Sequence, residues 1–398
     1  MNRTDNMAPS PSGMRPIPQD THPVSTHETK RVFLFRPTLG EGGADRVTIT
    51  LLRHLNRDVF DPSLVLVKKD GALIDEVPDD VPVIDLGVSR LRFSWLRLAS
   101  VLRRDRPDVL FSTSSGGNLI ASLAHAVVAD PKRRLVLSER NTFSEVRRER
   151  RPSWLPIATI TRQLYTRASR IIAVSEGVAK DLTECLNLPE GLVTAIHNPI
   201  VDQELQALAM EPVDHPWFKT DSPVVLAVGR LVAQKDYPLL LRAFSRIRRK
   251  RPARLIILGE GEQRGALERL ARDLGIRQDV DFPGFTKNPF PFMRQCTVFV
   301  LSSRFEGLPG ALIQAMACGA PAISTDCPSG PSEIIKNGTS GILVPVGDEE
   351  QLAAAIERLL ADATLRESLS AAGRSATAAF DVPSMIKQYE DALLSADK

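Results

Sequence analysis

Residues 298–319 read Val298-Phe299-Val300-Leu301-Ser302-Ser303-Arg304-Phe305-Glu306-Gly307-Leu308-Pro309-Gly310-Ala311-Leu312-Ile313-Gln314-Ala315-Met316-Ala317-Cys318-Gly319. A short continuous apolar run opens the stretch, as in a strand covered on both faces. A loop rich in Gly and Pro follows, then a helix from about Pro309 that stops at Gly319. Strand, loop and helix in that order form the unit of a parallel α/β sheet. The helix N-terminus can hold an anion against its peptide dipole. Glu306 lies just before the helix and can accept hydrogen bonds from hydroxyls, and Gln314 lies just over one turn further in.

The same unit recurs on both sides. Apolar runs at 224–228, 255–258, 280–282, 320–324 and 341–344 surround the quoted stretch, with helical spacing at 349–361 and 384–394. Towards the N-terminus, runs at 32–35, 64–67, 81–84, 109–111, 135–137 and 171–174 alternate with helical stretches such as 44–56 and 95–104. A last run at 193–197 ends at Asn198-Pro199. Residues 202–222 are polar, carry Pro212 and Pro216, and read as a connector. The fold class is therefore α/β, with two Rossmann-like doubly wound domains: residues 30–200 and residues 201–398. The final helix is a candidate to pack back on the first domain. Two open sheets place ligands at the carboxyl ends of their strands, in the cleft between them.

Composition fits this reading. The chain has 398 residues, 43% hydrophobic and 25% charged, which excludes a fibrous or mainly disordered protein. Residues 1–29 are rich in Pro, Ser and Thr, have no apolar core and read as a disordered tail rather than a secretory signal. Lys and Arg number 51 against 48 Asp and Glu, too balanced for a dedicated nucleic-acid binder. The balance is local: +6 over residues 30–200 and −2 over residues 201–398. A basic first half points to an anionic partner there. Cys185, Cys296, Cys318 and Cys327 have no short paired spacing, so neither a disulfide framework nor a zinc site is expected, and reducing cytoplasm fits. The uncharged stretches 111–129 and 307–325 are broken by Gly, Ser, Asn or Gln and read as buried α/β segments, not membrane spans.

Two further loops sit at strand ends. After the first strand comes Thr38-Leu39-Gly40-Glu41-Gly42-Gly43-Ala44-Asp45. Its glycines allow close approach to a ligand at a helix N-terminus, or simply make a tight turn. The spacing is not that of a dinucleotide fingerprint, which argues against a nicotinamide dehydrogenase. The second loop is Val228-Gly229-Arg230-Leu231-Val232-Ala233-Gln234-Lys235. Its two cations suit a diphosphate, Arg230 as a fork and Lys235 as a point charge, although an isolated pair of this kind reads as a solvated surface. His125, on an apolar stretch, reads as a satisfied core residue.

The order GGADR, VGRLVAQKDYPLLLRAF, LGEGEQRGALERLA and FEGLPGALIQAMACGAPAISTDCPSGPSEII resembles glycosyltransferase family 4, over about residues 31–395. The resemblance implies the GT-B fold, two Rossmann-like domains facing across a cleft, and transfer with retention of anomeric configuration. SERN at 138–141, VSEGVAKDL at 174–182 and HNPI at 197–200 are similar to bacterial enzymes of lipopolysaccharide, capsule and exopolysaccharide assembly. It implies that Arg230 and Lys235 bind the donor diphosphate and that Glu306 lies near the donor sugar hydroxyls. Gly307, Leu308 and Pro309 would supply backbone around sugar and phosphate. Gly42 and Gly43 would line the diphosphate and acceptor, with Gly40 and Glu41 on the acceptor side. Gly229, residues 259–261, Gly284, Phe285 and Thr286 would surround the nucleotide. Gln314 stands where the family usually has a second Glu on the ribose. A first-domain His used by many members is missing from residues 112–118; Asn118 or Glu139 is the candidate substitute, and both stand with Arg140 on the acceptor side.

The expected function is thus a retaining glycosyltransferase using a nucleotide sugar, UDP-hexose or UDP-N-acetylhexosamine, with a lipid-linked or polysaccharide acceptor. No cofactor and no metal are expected, since the two cations can stabilise the leaving diphosphate. The alternatives are a nucleotide-sugar-binding protein with a decayed site and a GT-B nucleotide-sugar epimerase. Arg90, Arg92, Arg97, Arg103, Arg104 and Arg106, interleaved with Phe93 and Trp95, and Arg147, Arg148, Arg150 and Arg151 before Trp154, form a candidate peripheral surface for anionic lipid. The expected location is the cytoplasm or the inner face of the cytoplasmic membrane.

Overall fold

The structure, a computed structural model, describes residues 29–40, 42–149 and 157–395. The tail expected over residues 1–29 lies outside this range except for its last residue, and Arg150, Arg151 and Trp154 also lie outside it.

The first domain runs β1 (Lys30–Arg36), α1 (Gly43–His54), β2 (Phe60–Leu66), β3 (Val83–Asp85), α2 (Ser94–Asp105), β4 (Val109–Ser112), α3 (Ser115–Val128), β5 (Arg134–Glu139), α4 (Phe143–Glu149), α5 (Ile157–Tyr165), β6 (Arg170–Ala173), α6 (Glu176–Leu186) and β7 (Val193–Ala195). Its sheet is parallel, in the order β3-β2-β1-β4-β5-β6-β7. After α7 (Gln203–Leu208) the second domain runs β8 (Val224–Val228), α8 (Tyr237–Arg248), β9 (Arg254–Leu258), α9 (Arg264–Asp273), β10 (Val280–Gly284), α10 (Phe290–Gln295), β11 (Val298–Leu301), α11 (Gly310–Ala317), β12 (Ala322–Thr325), α12 (Pro331–Ile334) and β13 (Ile342–Val344). Its parallel sheet has the order β10-β9-β8-β11-β12-β13. Three helices close the chain: α13 (Glu349–Ala361), α14 (Ala363–Ala376) and α15 (Val382–Leu394).

The apolar runs do not alternate because both sheet faces are covered. Val32 and Leu34 enter one core, Phe33 and Phe35 the other. In the second domain Val225 and Ala227 face one layer, Val224 and Leu226 the opposite one. Fully burying each such Val, Leu or Phe contributes roughly 1.5–3 kcal/mol, so a polar residue at any of them is costly. Strand order reverses between β1 and β4, and again between β8 and β11. Those two reversal points open a crevice at the carboxyl ends of the strands.

Two expectations change. Residues 202–222 are no mere connector. Asp202 caps α7 by accepting from the Leu205 N–H at 2.7 Å, and Leu205 and Ala209 are buried in the second domain's core. The i, i+4 spacing of those two residues carries the helix despite its polar neighbours. Helix α14 was not anticipated. It docks through buried Leu369 and Gly373.

The chain crosses between domains twice, and the crossings are bonded together. The Ile200 N–H donates to Phe380 O at 3.1 Å and the Val382 N–H to Val201 O at 2.9 Å. Helix α15 then returns to the first domain. Val382, Ile386, Tyr389 and Leu393 join its core, and Tyr389 lies 6.1 Å from Phe111, ring to ring.

Candidate active site

The second domain's reversal point brings two loops together. The Arg304 N–H donates to Gln234 O at 2.8 Å, Gln234 Nε2 donates to Phe305 O at 2.9 Å, and Ser302 Oγ donates to Lys235 O at 2.8 Å. These bonds tie the loop after β8 to the loop after β11. Lys235 Nζ then meets Glu306 Oε1 at 2.5 Å, with the two side chains only 14% and 8% exposed. Ser303 Oγ donates to the same oxygen at 2.6 Å. Among the described residues Oε2 has no partner, so Glu306 keeps an acceptor for a ligand hydroxyl. Lys235 likewise keeps two of its three N–H donors. Tyr237 is buried nearby, and burial, then the Glu306 charge, raises its phenol well above the usual range.

Arg230 follows Gly229 at the end of β8. It is exposed and, among the described residues, has no side-chain partner. The nucleotide-side loops are closely packed: a Cβ on Gly259, at φ +137°, would sit 2.1 Å from Gly229 O. Gly284 ends β10, with half-buried Phe285 after it. Buried Leu308 and Pro309 lead into α11, whose N-cap is Pro309. Gln314 lies half-buried on α11, and its side chain makes no hydrogen bond among the described residues.

Across the crevice, the glycine loop is held by a buried pair that sequence reading missed. Arg36 Nη2 meets Asp45 Oδ1 at 2.5 Å, and Asp45 Oδ2 accepts from the Gly42 N–H at 3.0 Å. Gly42 and Asp45 stand three apart, the spacing of a helix capping box, which is the signal that could have revealed them. Burial is the main influence on Arg36 and lowers its guanidinium to about 10. Gly40 packs beside Asp45, and Gly43 starts α1 with open space where a Cβ would stand. Glu41 lies outside the described residues. Arg46 Nη2 reaches the second domain and donates to Lys287 O at 2.6 Å, so the glycine loop faces the loop after β10.

Asn118 in the first turn of α3 and Glu139 and Arg140 at the end of β5 form a buried group. Asn118 Nδ2 donates to Glu139 Oε1 at 2.7 Å, and Tyr165 also donates to that oxygen. Asn118 and Glu139 are therefore buried against each other, and among the described residues Asn118 Oδ1 has no hydrogen-bond partner. Burial pushes the Glu139 carboxyl up, while hydrogen bonds from its partners oppose this. Arg140 donates from Nε to Thr113 O at 3.0 Å and from Nη1 to Asn198 Oδ1 at 2.9 Å, spanning from strand end to domain crossing. Burial lowers its guanidinium.

The domains touch at Gly307. A Cβ there would lie 2.0 Å from Arg140 O, so the donor-side loop runs directly against the first domain. Ser175 Oγ and Ser329 Oγ both donate to Gly307 O, at 2.9 and 3.0 Å. Glu333 accepts from the Glu176 and Gly177 N–H groups at the start of α6, at 2.8 and 3.0 Å. Burial alone would raise its carboxyl, but His197 and these amides hold it below the ordinary value. His125, by contrast, is half-buried and bonds Arg133 O at 3.0 Å. Among the described residues no three His, Cys, Asp or Glu side chains are grouped to hold a metal ion.

Residues 41–204 match the family model described as Glycosyltransferase Family 4, and residues 214–376 that described as Glycosyl transferases group 1. The chain belongs to glycosyltransferase family 4. This glycosyltransferase is 29% identical over 374 residues to the N-acetylgalactosamine-N,N'-diacetylbacillosaminyl-diphospho-undecaprenol 4-alpha-N-acetylgalactosaminyltransferase of Campylobacter jejuni, covering 92% of this chain and 98% of that one. It is 25% identical over 367 residues to the amylovoran biosynthesis glycosyltransferase AmsD of Erwinia amylovora, covering 92% of this chain and 99% of AmsD. Its GT-B fold is that of Anabaena HepE, crystallised with UDP-glucose: TM-score 0.79, 19% identity, 92% of this chain and 100% of HepE.

Proposed function

We propose that this glycosyltransferase moves a sugar, with retention, from UDP-hexose or UDP-N-acetylhexosamine to a lipid-linked or polysaccharide acceptor in cell-surface glycan assembly. The observation that carries the reading is the Lys235–Glu306 pair at a strand-order reversal, with Lys235 in the same loop as Arg230, whose side chain has no partner among the described residues. The Campylobacter relative's name specifies a diphospho-undecaprenol acceptor, and the Anabaena neighbour holds UDP-glucose. The decayed-binder and epimerase alternatives have no comparable support.

In this reading residues 201–398 hold the donor and residues 30–200 the acceptor. Arg230, Lys235 and the α11 N-terminus take the diphosphate, with Gly42 and Gly43 opposite. Glu306 Oε2 accepts from a sugar hydroxyl, while Gly307, Leu308 and Pro309 close around sugar and phosphate. Gly229, Gly284 and Phe285 flank the nucleotide, and Gln314 offers an amide to the ribose. Gly40 and Arg140 border the acceptor side, with Asn118 and Glu139 supporting Arg140 from beneath. The acceptor oxygen bonds to the anomeric carbon on the face that the diphosphate leaves, and its proton passes to the departing phosphate oxygen. The cations act by preorganised charge at the place where negative charge develops.

Phe93 and Leu96 at the start of α2 are 55% and 60% exposed, and the Arg92 guanidinium stacks 4.8 Å from the Phe93 ring. We assign this patch to anionic lipid at the inner face of the cytoplasmic membrane. No helix among the described residues is long and apolar enough to cross a membrane. Sedimentation with anionic vesicles that is unchanged by Phe93→Ser with Arg92→Glu would remove that assignment. The function itself is tested with a panel of UDP- and GDP-sugars and membrane lipid extract. Product linked with the donor's own anomeric configuration, from a UDP-sugar, is expected. An inverted linkage, or turnover of GDP-sugars alone, contradicts it.

A further inference from the structure

The second sheet lays out its strand ends in a row: β10, β9, β8, β11, β12, β13. On the reading above, the nucleotide lies over the ends of β10 and β9, the diphosphate over β8 and the transferred sugar over β11. The next place in that row is the end of β12 and β13. There the structure has an open cavity of about 1040 Å³ that the proposed donor does not occupy. Its volume is at the upper end of the roughly 300–1,000 Å³ of ligand pockets. One wall belongs to the other domain: Glu145 and Arg148 on α4 line it. The near wall is Arg304 and Phe305, the two residues immediately before Glu306, so the cavity adjoins the transfer point through a single turn of loop.

The lining has a definite chemistry. Pro345 and Val346 after β13 form an exposed apolar strip, Val346 being 40% exposed. Arg304 and Asp326 flank it, and among the described residues neither side chain has a partner. Glu145 and Arg148 pair with each other at 2.9 Å. Among the described lining residues acids and bases thus balance, with no cationic surplus for a phosphate. A carboxylate only accepts and a guanidinium only donates, so free examples of both serve groups that do both, namely hydroxyls. The apolar strip serves the C–H faces of sugar rings.

We infer that this cavity is a glycan subsite, which holds neutral sugar units of the acceptor beyond the one that receives the transferred residue. The inference rests on the proposed glycosyltransferase reading and adds the place and the class of the acceptor's extension. Because it spans both domains, the subsite is complete only when they are closed. Longer acceptors then bind better than single sugars and favour the closed arrangement.

The test uses neutral oligosaccharides as probes: maltotriose, mannotriose, globotriose and tri-N-acetylchitotriose, titrated by saturation-transfer NMR in the presence of UDP. Glucose-1-phosphate serves as the anionic control. At least one neutral trisaccharide is expected to bind, more tightly than its monosaccharide and than the anion. Val346→Trp, which fills the cavity from an exposed position, is expected to weaken it at least tenfold. Asp326→Ala, which removes an acceptor without adding bulk, is expected to weaken it severalfold. Both variants should bind UDP within twofold of wild type. Trisaccharide binding that ignores both substitutions overturns the subsite, and so does the absence of binding by every probe while UDP still binds. Failure of UDP itself to bind wild-type protein would instead sink the donor reading.

Discussion

Gly307→Ala probes the contact that brings the two domains into one site. The added methyl would sit 2.0 Å from Arg140 O and 2.6 Å from Arg140 C, both backbone atoms that no rotamer change can move aside. An ordinary contact begins near 3.4 Å, so loop and first domain must part by about 1.4 Å. Overpacking of this kind costs typically about 1–3 kcal/mol. The larger effect falls on function. Displacing a reacting group by about 1 Å can cost on the order of 100-fold in rate. The substitution lies in the loop that follows Glu306, so the shift is passed to the proposed sugar contact. Transfer measured at saturating donor should fall about 100-fold, while UDP affinity, which on the proposed reading comes chiefly from Arg230 and Lys235 in the second domain, stays within a few-fold. The melting temperature should fall by only a few degrees. Wild-type turnover in Gly307→Ala would refute the reasoning, because it would place catalysis in an arrangement where these domains do not touch.

Three further outcomes are expected. Asp45→Ala leaves the buried Arg36 charge unpaired and frees the Gly42 N–H, so urea denaturation should report about 3–5 kcal/mol of lost stability. A loss under about 1 kcal/mol would mean the pair does not hold the loop. Glu139 has its pKa raised by burial, so its stabilising effect is full below the unfolded value near 4.5 and is lost as pH rises through the folded value. Glu139→Gln cannot ionise, and its stability relative to wild type should therefore climb as pH rises above about 4.5 and level off once pH passes the folded value; a difference that stays flat above pH 4.5 contradicts the assignment. Gln314→Glu supplies a charged acceptor on α11, and uridine affinity by calorimetry should rise about fivefold, with no gain counting against the ribose contact.

The sequence announced elements better than partnerships. Runs such as residues 224–228 were legible as strands because burial on both faces leaves no polar alternation. The loop-to-helix stretch around Glu306 was legible because Gly and Pro punctuate it. Helix α7 was not, since only Leu205, Leu208 and Ala209 mark it against polar neighbours and two prolines. Partners distant in sequence were equally hidden. Arg140 and Asn198 are 58 residues apart, and Glu333 and Gly177 are 156 apart. No local pattern encodes such pairs, because they exist only once strand order and domain closure are set. Asn118 and Glu139 illustrate the limit: their polarity singled them out, but their burial against each other was invisible until the fold was known.

Calorimetric titration of UDP and of uridine into Arg230→Ala reaches the central claim most directly, because Arg230 is exposed and has no side-chain partner among the described residues, so its loss should leave the fold intact. A charge-assisted bond of about 1.5–3 kcal/mol to the diphosphate predicts UDP binding weakened about 10–100-fold, with uridine unchanged. Equal UDP affinity in wild type and Arg230→Ala would contradict the account.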